Sequence, residues 1–281
     1  MDRDRLDRLA RALGAAPTRR GLGRLFGAVL AAGAGAGGEP AAAAKKKPKA
    51  CPSACPVCRR CRRGRCRPTA DGLPCELFDT GTVCERGSSV PARCGNGGPC
   101  RVFATSETRA GSAVGGLAGA DALCQSLAAA AVLGGTYRAW LSAGKRSPAT
   151  RFSNRGKAGP YRLVGNGDDG GNPPPTVADS FADLTGCEIG GDCLQRPIDR
   201  DERGDAVERT CAWTGTLPDG RRAAVAPAPG IDIEETCRGW DAPGNGTTGM
   251  VGNVGVATPR WTNFAIVTCS SDCRLYCFEQ A

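Results

Sequence analysis

From residue 101 onward the chain alternates between short apolar patches and longer polar stretches, and the patches follow two periods. Val102-Phe103-Ala104-Thr105 has the length and apolarity of a short strand. After Gly115-Gly116, the apolar positions Ala120, Leu123, Cys124, Leu127, Ala128 and Ala131 recur at i, i+3, i+4 and i+7, which predicts a helix with Cys124 on its buried face. Gly134-Gly135 stops that helix, and Tyr137-Arg138-Ala139-Trp140-Leu141 then alternates as a second strand does. Further strand-like patches are Cys211-Ala212-Trp213-Thr214-Gly215, Arg222 to Ala226, Trp261 to Thr268 and Arg274 to Phe278. Between them lie an irregular stretch from roughly 144 to 206, with Asn166 to Asn172 and a triple proline at Pro173 to Pro175, and a loop from Trp240 to Arg260. Loops this long within a domain are usually functional or pinned by cross-links, and Cys187 and Cys193 are placed to pin the first.

Residues 51 to 100 carry almost no such periodicity. They hold nine cysteines, in CPSACPVCRRCRRGRC and then at Cys75, Cys84, Cys94 and Cys100. A segment with so little to bury must be ordered by cross-links or a metal if it is ordered at all. The odd count leaves one thiol to pair elsewhere or stay free. Composition agrees with a loop-rich, stapled fold: of 281 residues 41 are Gly, about twice the usual share of roughly 7%, and aromatics are only 5%. Seventeen cysteines offset the backbone entropy that such a chain loses on folding.

Charge separates the same regions. Residues 45 to 75 carry ten Lys and Arg against Asp71 alone, whereas from 101 onward 18 Lys and Arg face 20 Asp and Glu. The net +9 of the chain is therefore carried by a stem and leader and not by the main domain. The first 44 residues have the features of an export signal: the pair Arg19-Arg20, a mildly apolar run from Leu25 to Gly37, and small residues for cleavage after Ala44. Paired arginines before a weakly hydrophobic run are the twin-arginine pattern. The apolar run is too short and Gly-rich for a transmembrane span, so none is expected in the mature chain. The expected layout is a signal peptide at 1–44, a basic cysteine-rich stem at 45–100 and one domain at 101–281. Export directs the stem toward anionic envelope polymers and not toward nucleic acid.

Three cysteines, Cys269, Cys273 and Cys277, crowd the last residues, and such a cluster suits a metal, redox chemistry or halves of several disulfides. An oxidising compartment favours disulfides. Cys55-x2-Cys58-x2-Cys61-x4-Cys66 with Pro68 approaches an iron–sulfur run but misses by one residue at both the last gap and the proline. A metal-carrying stem, with zinc in place of a cluster, is the alternative for these thiols. Zero histidines remove the commonest general base and metal ligand. Ser142-Ala143-Gly144-Lys145 fits S-x-x-K without the companion motifs of that enzyme class. Asp199 with Asp201, or Glu234 with Glu235, are carboxylate pairs of the type used in glycoside hydrolysis, which makes an envelope-polysaccharide hydrolase the runner-up function. Asp199-x-Asp201-x-Arg203-Gly204 opens like a calcium loop, but Arg stands at its fifth position and Thr210 at its twelfth.

The order of strand, cysteine-bearing helix and Trp-Leu strand, followed by Cys237-Arg238-Gly239-Trp240, Trp261-Thr262-Asn263, Cys269 and Leu275-Tyr276-Cys277-Phe278-Glu279, resembles the C-type lectin-like fold. It is closest to a bacterial branch of unknown function that includes the leptospiral endostatin-like proteins, matched also at Val102 to Ser106, Gly115 to Asp121, Ala139 to Ser142 and Ala212 to Gly215. The resemblance spans residues 101 to 281 and implies an α+β fold with few helices, small twisted antiparallel sheets and long loops. It implies the disulfides Cys124–Cys277 and Cys237–Cys269. The even remainder is expected to pair as Cys187–Cys193 and Cys211–Cys273.

The leading functional reading is a secreted, non-catalytic module that presents Trp240, Asp241, Asn245, Asn253 and Asn263 to a glycan or an extracellular or matrix protein, with core packing beside Cys237 as the alternative for Trp240. Calcium is the one cofactor it brings in, with Asp232, Glu234, Glu235, Asp241 and Asn263 as candidate oxygen ligands. The family's sugar site departs here, because Trp261-Thr262-Asn263-Phe264 has an inserted Thr and lacks the acidic residue.

Overall fold

The computed structural model describes residues 55, 58–63, 65–71, 73, 82–86, 88–153, 159–165, 173–187, 191–223, 236–241 and 247–281. All of them belong to one unit, Pro48–Ala281. The export calls, Arg19, Arg20 and cleavage after Ala44, lie outside the described residues.

Strands run in chain order as β1 (Arg59–Arg62), β2 (Arg65–Pro68), β3 (Thr82–Glu85), β4 (Ser88–Pro91), β5 (Cys100–Ala104), β6 (Arg109–Ala110), β7 (Thr136–Ala139), β8 (Tyr161–Leu163), β9 (Thr176–Ala178), β10 (Cys211–Trp213), β11 (Thr248–Asn253), β12 (Ala265–Thr268) and β13 (Asp272–Gln280). Helices are α1 (Gly116–Ala130), α2 (Pro148–Arg151), α3 (Phe181–Thr185) and the single turn α4 (Cys237–Trp240). The class is α+β, with few helices and many disulfides. Nine of the strands form one mixed sheet, and β1-β2 and β3-β4 are separate hairpins. Two pairings, β5 with β8 and β10 with β13, are parallel where antiparallel sheets were expected.

The last strand organises the domain. Cys277 and Phe278 pair with both β5 and β7, so β13 lies between them. Side chains alternate across a strand, and β13 accordingly feeds two cores. Cys273, Leu275 and Cys277 enter the core that holds the buried face of α1 (Ala120, Cys124, Leu127 and Ala128) with Trp213 and Trp240. Tyr276 and Phe278 enter the other, with Trp140, Phe152, Phe181 and Trp261. There the Trp140 ring centroid sits 4.9 Å from Trp261, 5.4 Å from Phe278 and 5.8 Å from Phe152. The few aromatics are thus concentrated where each contributes most burial; all four Trp are under 2% exposed.

Two stretches expected to be loops contain strands. The irregular middle holds α2, β8, β9 and α3, each too short for a period to be counted. The 240–260 loop holds β11, whose Gly249 and Gly252 give it a loop-like composition but serve close packing. A Cβ on Gly252 would lie 1.8 Å from the Trp261 carbonyl oxygen, and one on Gly249 would lie 2.7 Å from Cys237 Sγ. Of the expected strand at Arg222 to Ala226, only an isolated bridge from Arg222 to Thr216 falls among the described residues that pair.

Cysteines join one another throughout. Among the described residues the bridges are Cys55–Cys66, Cys58–Cys84, Cys94–Cys100, Cys124–Cys277, Cys187–Cys193, Cys211–Cys273 and Cys237–Cys269. Cys61 is also disulfide-bonded. The end of the stem enters the domain: Cys94 and Cys100 are buried in the Trp140 core, and Gly95 packs against Ala281.

Candidate functional site

At Cys237 to Trp240 the backbone makes one left-handed turn, with φ of 45°, 51°, 85° and 72°. Left-handed L-residues cost roughly 1–2 kcal/mol each, so the turn needs external restraint. It receives this from the Cys237–Cys269 bridge and from Gly239 and Trp240 N–H groups donating to the Thr236 carbonyl. Gly115 N–H in turn donates to the Trp240 carbonyl. The same turn directs the indole inward. Trp240 is fully buried, its ring 5.5 Å from Trp213 and its Nε1–H donating to the Ser142 carbonyl at 2.7 Å. Trp240 is therefore a core residue beside Cys237, the second of the two readings open from the sequence, and not a ligand contact.

The other candidate contacts separate. Asp241 is exposed at the end of the turn, Asn253 is half-buried opposite Cys211, and Asn263 is exposed. Asn245 and the calcium candidates Asp232, Glu234 and Glu235 lie outside the described residues. Among the described residues no group of three or more Cys, Asp or Glu is placed to hold a metal ion. The thiols weighed for an iron–sulfur or zinc site are consumed: Cys55, Cys58, Cys61 and Cys66 are all in disulfides.

The candidates for catalysis have structural partners. Ser142 Oγ is buried 2.7 Å from Thr216 Oγ1, while Lys145 is exposed. Asp201 is 5% exposed, and its Oδ1 accepts the backbone N–H groups of Arg203 and Asp205, both at 2.9 Å. That carboxylate closes a turn. Asp199, its sequence partner, contributes its backbone carbonyl to the Val207 N–H.

Thr262, the residue that breaks the family's sugar motif, has a definite role. Its Oγ1 accepts Trp140 Nε1–H at 2.8 Å and donates to the Thr216 carbonyl at 2.9 Å. Its own carbonyl accepts Thr214 Oγ1–H at 2.6 Å. The hydroxyls of Ser142, Thr214, Thr216 and Thr262 form a buried net that ties the Trp140 indole to the strand ends. After this net the chain emerges at Asn263 and Phe264, the latter 46% exposed, and enters β12, the sheet's edge strand, where Ile266 is also exposed.

A second surface was not anticipated from the sequence. Arg101 and Arg162 are in direct register on the parallel strands β5 and β8, so their outward side chains lie side by side. With Arg203, Val132, Leu133 and Pro174 they line a cleft of about 530 Å³. Glu202 also lines it, but is 1% exposed and accepts the Ser106 hydroxyl at 2.5 Å and the Ser106 N–H at 3.0 Å. Behind Arg101, Glu279 accepts the Arg101 backbone N–H at 2.9 Å, and burial raises its pKa above the ordinary carboxylate value against the opposing pull of Arg101. Burial, and next the Glu279 charge, push the neighbouring Tyr137 up to about 12.

No protein-family model and no curated protein matches this chain.

Arg101 and Arg162 stand outward between the buried neighbours Cys100 and Val102 and Tyr161 and Leu163, but neither falls on a strand read from the sequence, and the pairing that brings them together left no signal. Among the described residues no helix is long and apolar enough to cross a membrane.

Proposed function

We propose that the protein is an exported, non-catalytic binding module of C-type lectin-like architecture, related to the endostatin-like bacterial branch, that engages a glycan or an extracellular protein. Its basic stem rests against anionic envelope polymers. The architecture is supported by Cys124–Cys277 and Cys237–Cys269, the pairs that the resemblance implies. Export is supported by bridges throughout the described residues, since disulfides on this scale persist in oxidising compartments.

The observation that carries the binding reading is the exposed aromatic Phe264 beside the exposed amide Asn263, leading into an edge strand. A ring that stacks on a sugar face next to an amide that hydrogen-bonds its hydroxyls is the chemistry of carbohydrate recognition, and an unpaired strand edge suits an extended protein partner. A glycan and matrix-protein screen of the oxidised chain, run with and without a calcium chelator, tests it. Saturable binding that Phe264→Ala weakens at least tenfold is expected. Release of soluble product from an envelope polysaccharide, or binding indifferent to Phe264, would overturn it.

A further inference from the structure

We infer that the cleft between β5, β8 and the turn after α1 is a second binding site, for a small organic acid that carries a carboxylate on an apolar body. This goes beyond the sheet-edge reading and does not depend on it.

The anion-binding half is built from three guanidinium groups on three separate segments. Like charges side by side on neighbouring strands destabilise a sheet, and Arg101 and Arg162 occupy that arrangement. Arg162 is also partly desolvated, with Nε buried and lacking a hydrogen-bond partner among the described residues. A desolvated cation interacts more strongly with an anion than one in water, because the local dielectric is lower. Arg203 adds a guanidinium that is 65% exposed and 4.0 Å from Glu202. Glu202 is the cleft's own carboxylate, and both its oxygens are engaged by Ser106. The Glu279 carboxylate accepts the Arg101 backbone N–H and its charge also acts on Arg101, so Glu202 and Glu279 together offset two of the three guanidinium charges. The lining keeps a positive excess that a carboxylate neutralises in a bidentate manner.

The apolar half is the turn after α1. Val132 is 89% exposed and has φ +57°, a conformation in which a β-branched residue is strained. The left-handed residue closes the end of α1, where the Val132 N–H donates to the Ala129 carbonyl and the Leu133 N–H to the Ala128 carbonyl, and this fixes the valine's outward position. Val132 projects an isopropyl group to the surface beside Leu133, and Pro174 faces the same cleft. A volume of about 530 Å³ falls in the range of small-molecule pockets. A free phosphate or sulfate would satisfy the arginines but leave this wall uncovered, so an amphipathic acid fits better.

The test uses the full oxidised mature chain and three probes in calorimetric titration: octanoate, octanamide and acetate. Octanoate is expected to bind saturably, and octanamide and acetate at least tenfold more weakly, because each lacks one half of the complementarity. Arg162→Gln and Arg203→Gln should each weaken octanoate about ten- to hundredfold, the range of a lost charge-assisted hydrogen bond. Phe264→Ala should leave octanoate binding unchanged, which separates this site from the sheet edge. Octanamide binding as tightly as octanoate would overturn the proposal without any variant, and so would octanoate affinity that survives both arginine substitutions.

Discussion

Removing the Cys124–Cys277 bridge, by Cys124→Ala with Cys277→Ala, tests how the two halves of the domain are held. The bonded residues are 153 apart, and a loop of that length restricts the unfolded chain by about 5 kcal/mol. Cys211–Cys273 survives in the variant and gives the unfolded chain a shorter path, cutting the effective loop to roughly 90 residues. Because the dependence is logarithmic, the entropic contribution falls only to about 4.6 kcal/mol. Both sulfurs are fully buried, between α1 and β13, and deleting them adds a cavity cost on the order of 1 kcal/mol. The sum, about 5 to 6 kcal/mol, is comparable to the whole net stability of an ordinary domain. Urea unfolding under oxidising conditions, followed by tryptophan fluorescence, reads it directly because all four indoles are buried. The midpoint should fall by roughly 2 M or the variant should be unfolded in buffer. A midpoint within about 0.5 M of the parent would refute the reasoning, since the helix and the last strand would then be held together without their covalent link.

Three further outcomes follow from the geometry. Thr262→Val keeps the volume but leaves Trp140 Nε1–H and the Thr216 carbonyl without their buried partner, at about 1–3 kcal/mol each, and thermal unfolding should fall by roughly 4 to 20 °C. Gly252→Ala drives a Cβ into the Trp261 carbonyl and should destabilise by about 3 kcal/mol or more, measured as a shift in the urea midpoint with unchanged slope. Glu279 is raised by burial, so the folded state keeps a proton that the unfolded chain has lost just above the ordinary carboxylate pKa. That increment is complete below the unfolded value and disappears as pH rises through the folded one. Glu279→Gln should therefore flatten the mildly acidic limb of the stability–pH curve; an unchanged limb would show that another group sets it.

Periodicity located the long helix closely, because six apolar positions over three turns leave little freedom, and its cysteine faces the strand that bonds it. The final strand was legible from Arg274 to Phe278, although it extends from Asp272 to Gln280. Its C-terminal end is the buried polar pair Glu279 and Gln280, which alternation does not register, and its N-terminal end begins at the exposed Asp272. Strand β11 was hidden for the opposite reason: glycines demanded by the Trp261 backbone and the Cys237 sulfur look like loop residues until their surroundings are known. Trp240 stayed open between ligand contact and core packing beside Cys237, because an aromatic next to a glycine in a polar segment gives no sign of a left-handed turn that rotates it into the core.

The same limit governs the two proposed binding surfaces. A strand's period tells which side chains point outward, but β5 is legible only from Val102 and the three-residue β8 shows no period, so neither Arg101 nor Arg162 is placed on a strand by the sequence. What makes them a candidate site is that β5 and β8, some sixty residues apart, run parallel in register, so that two repelling guanidinium groups stand together beside an exposed valine. Outwardness is a local property and adjacency a topological one. Phe264 shows the distinction from the other side: the buried Thr262 net fixes where the chain leaves the core, and the exposed ring takes its place at the sheet edge from that anchor. The recognition chemistry proposed for this protein therefore rests on residues whose neighbours are set by the disulfide-braced strand order, and Thr262 is the position where one hydroxyl links that order to the sheet edge.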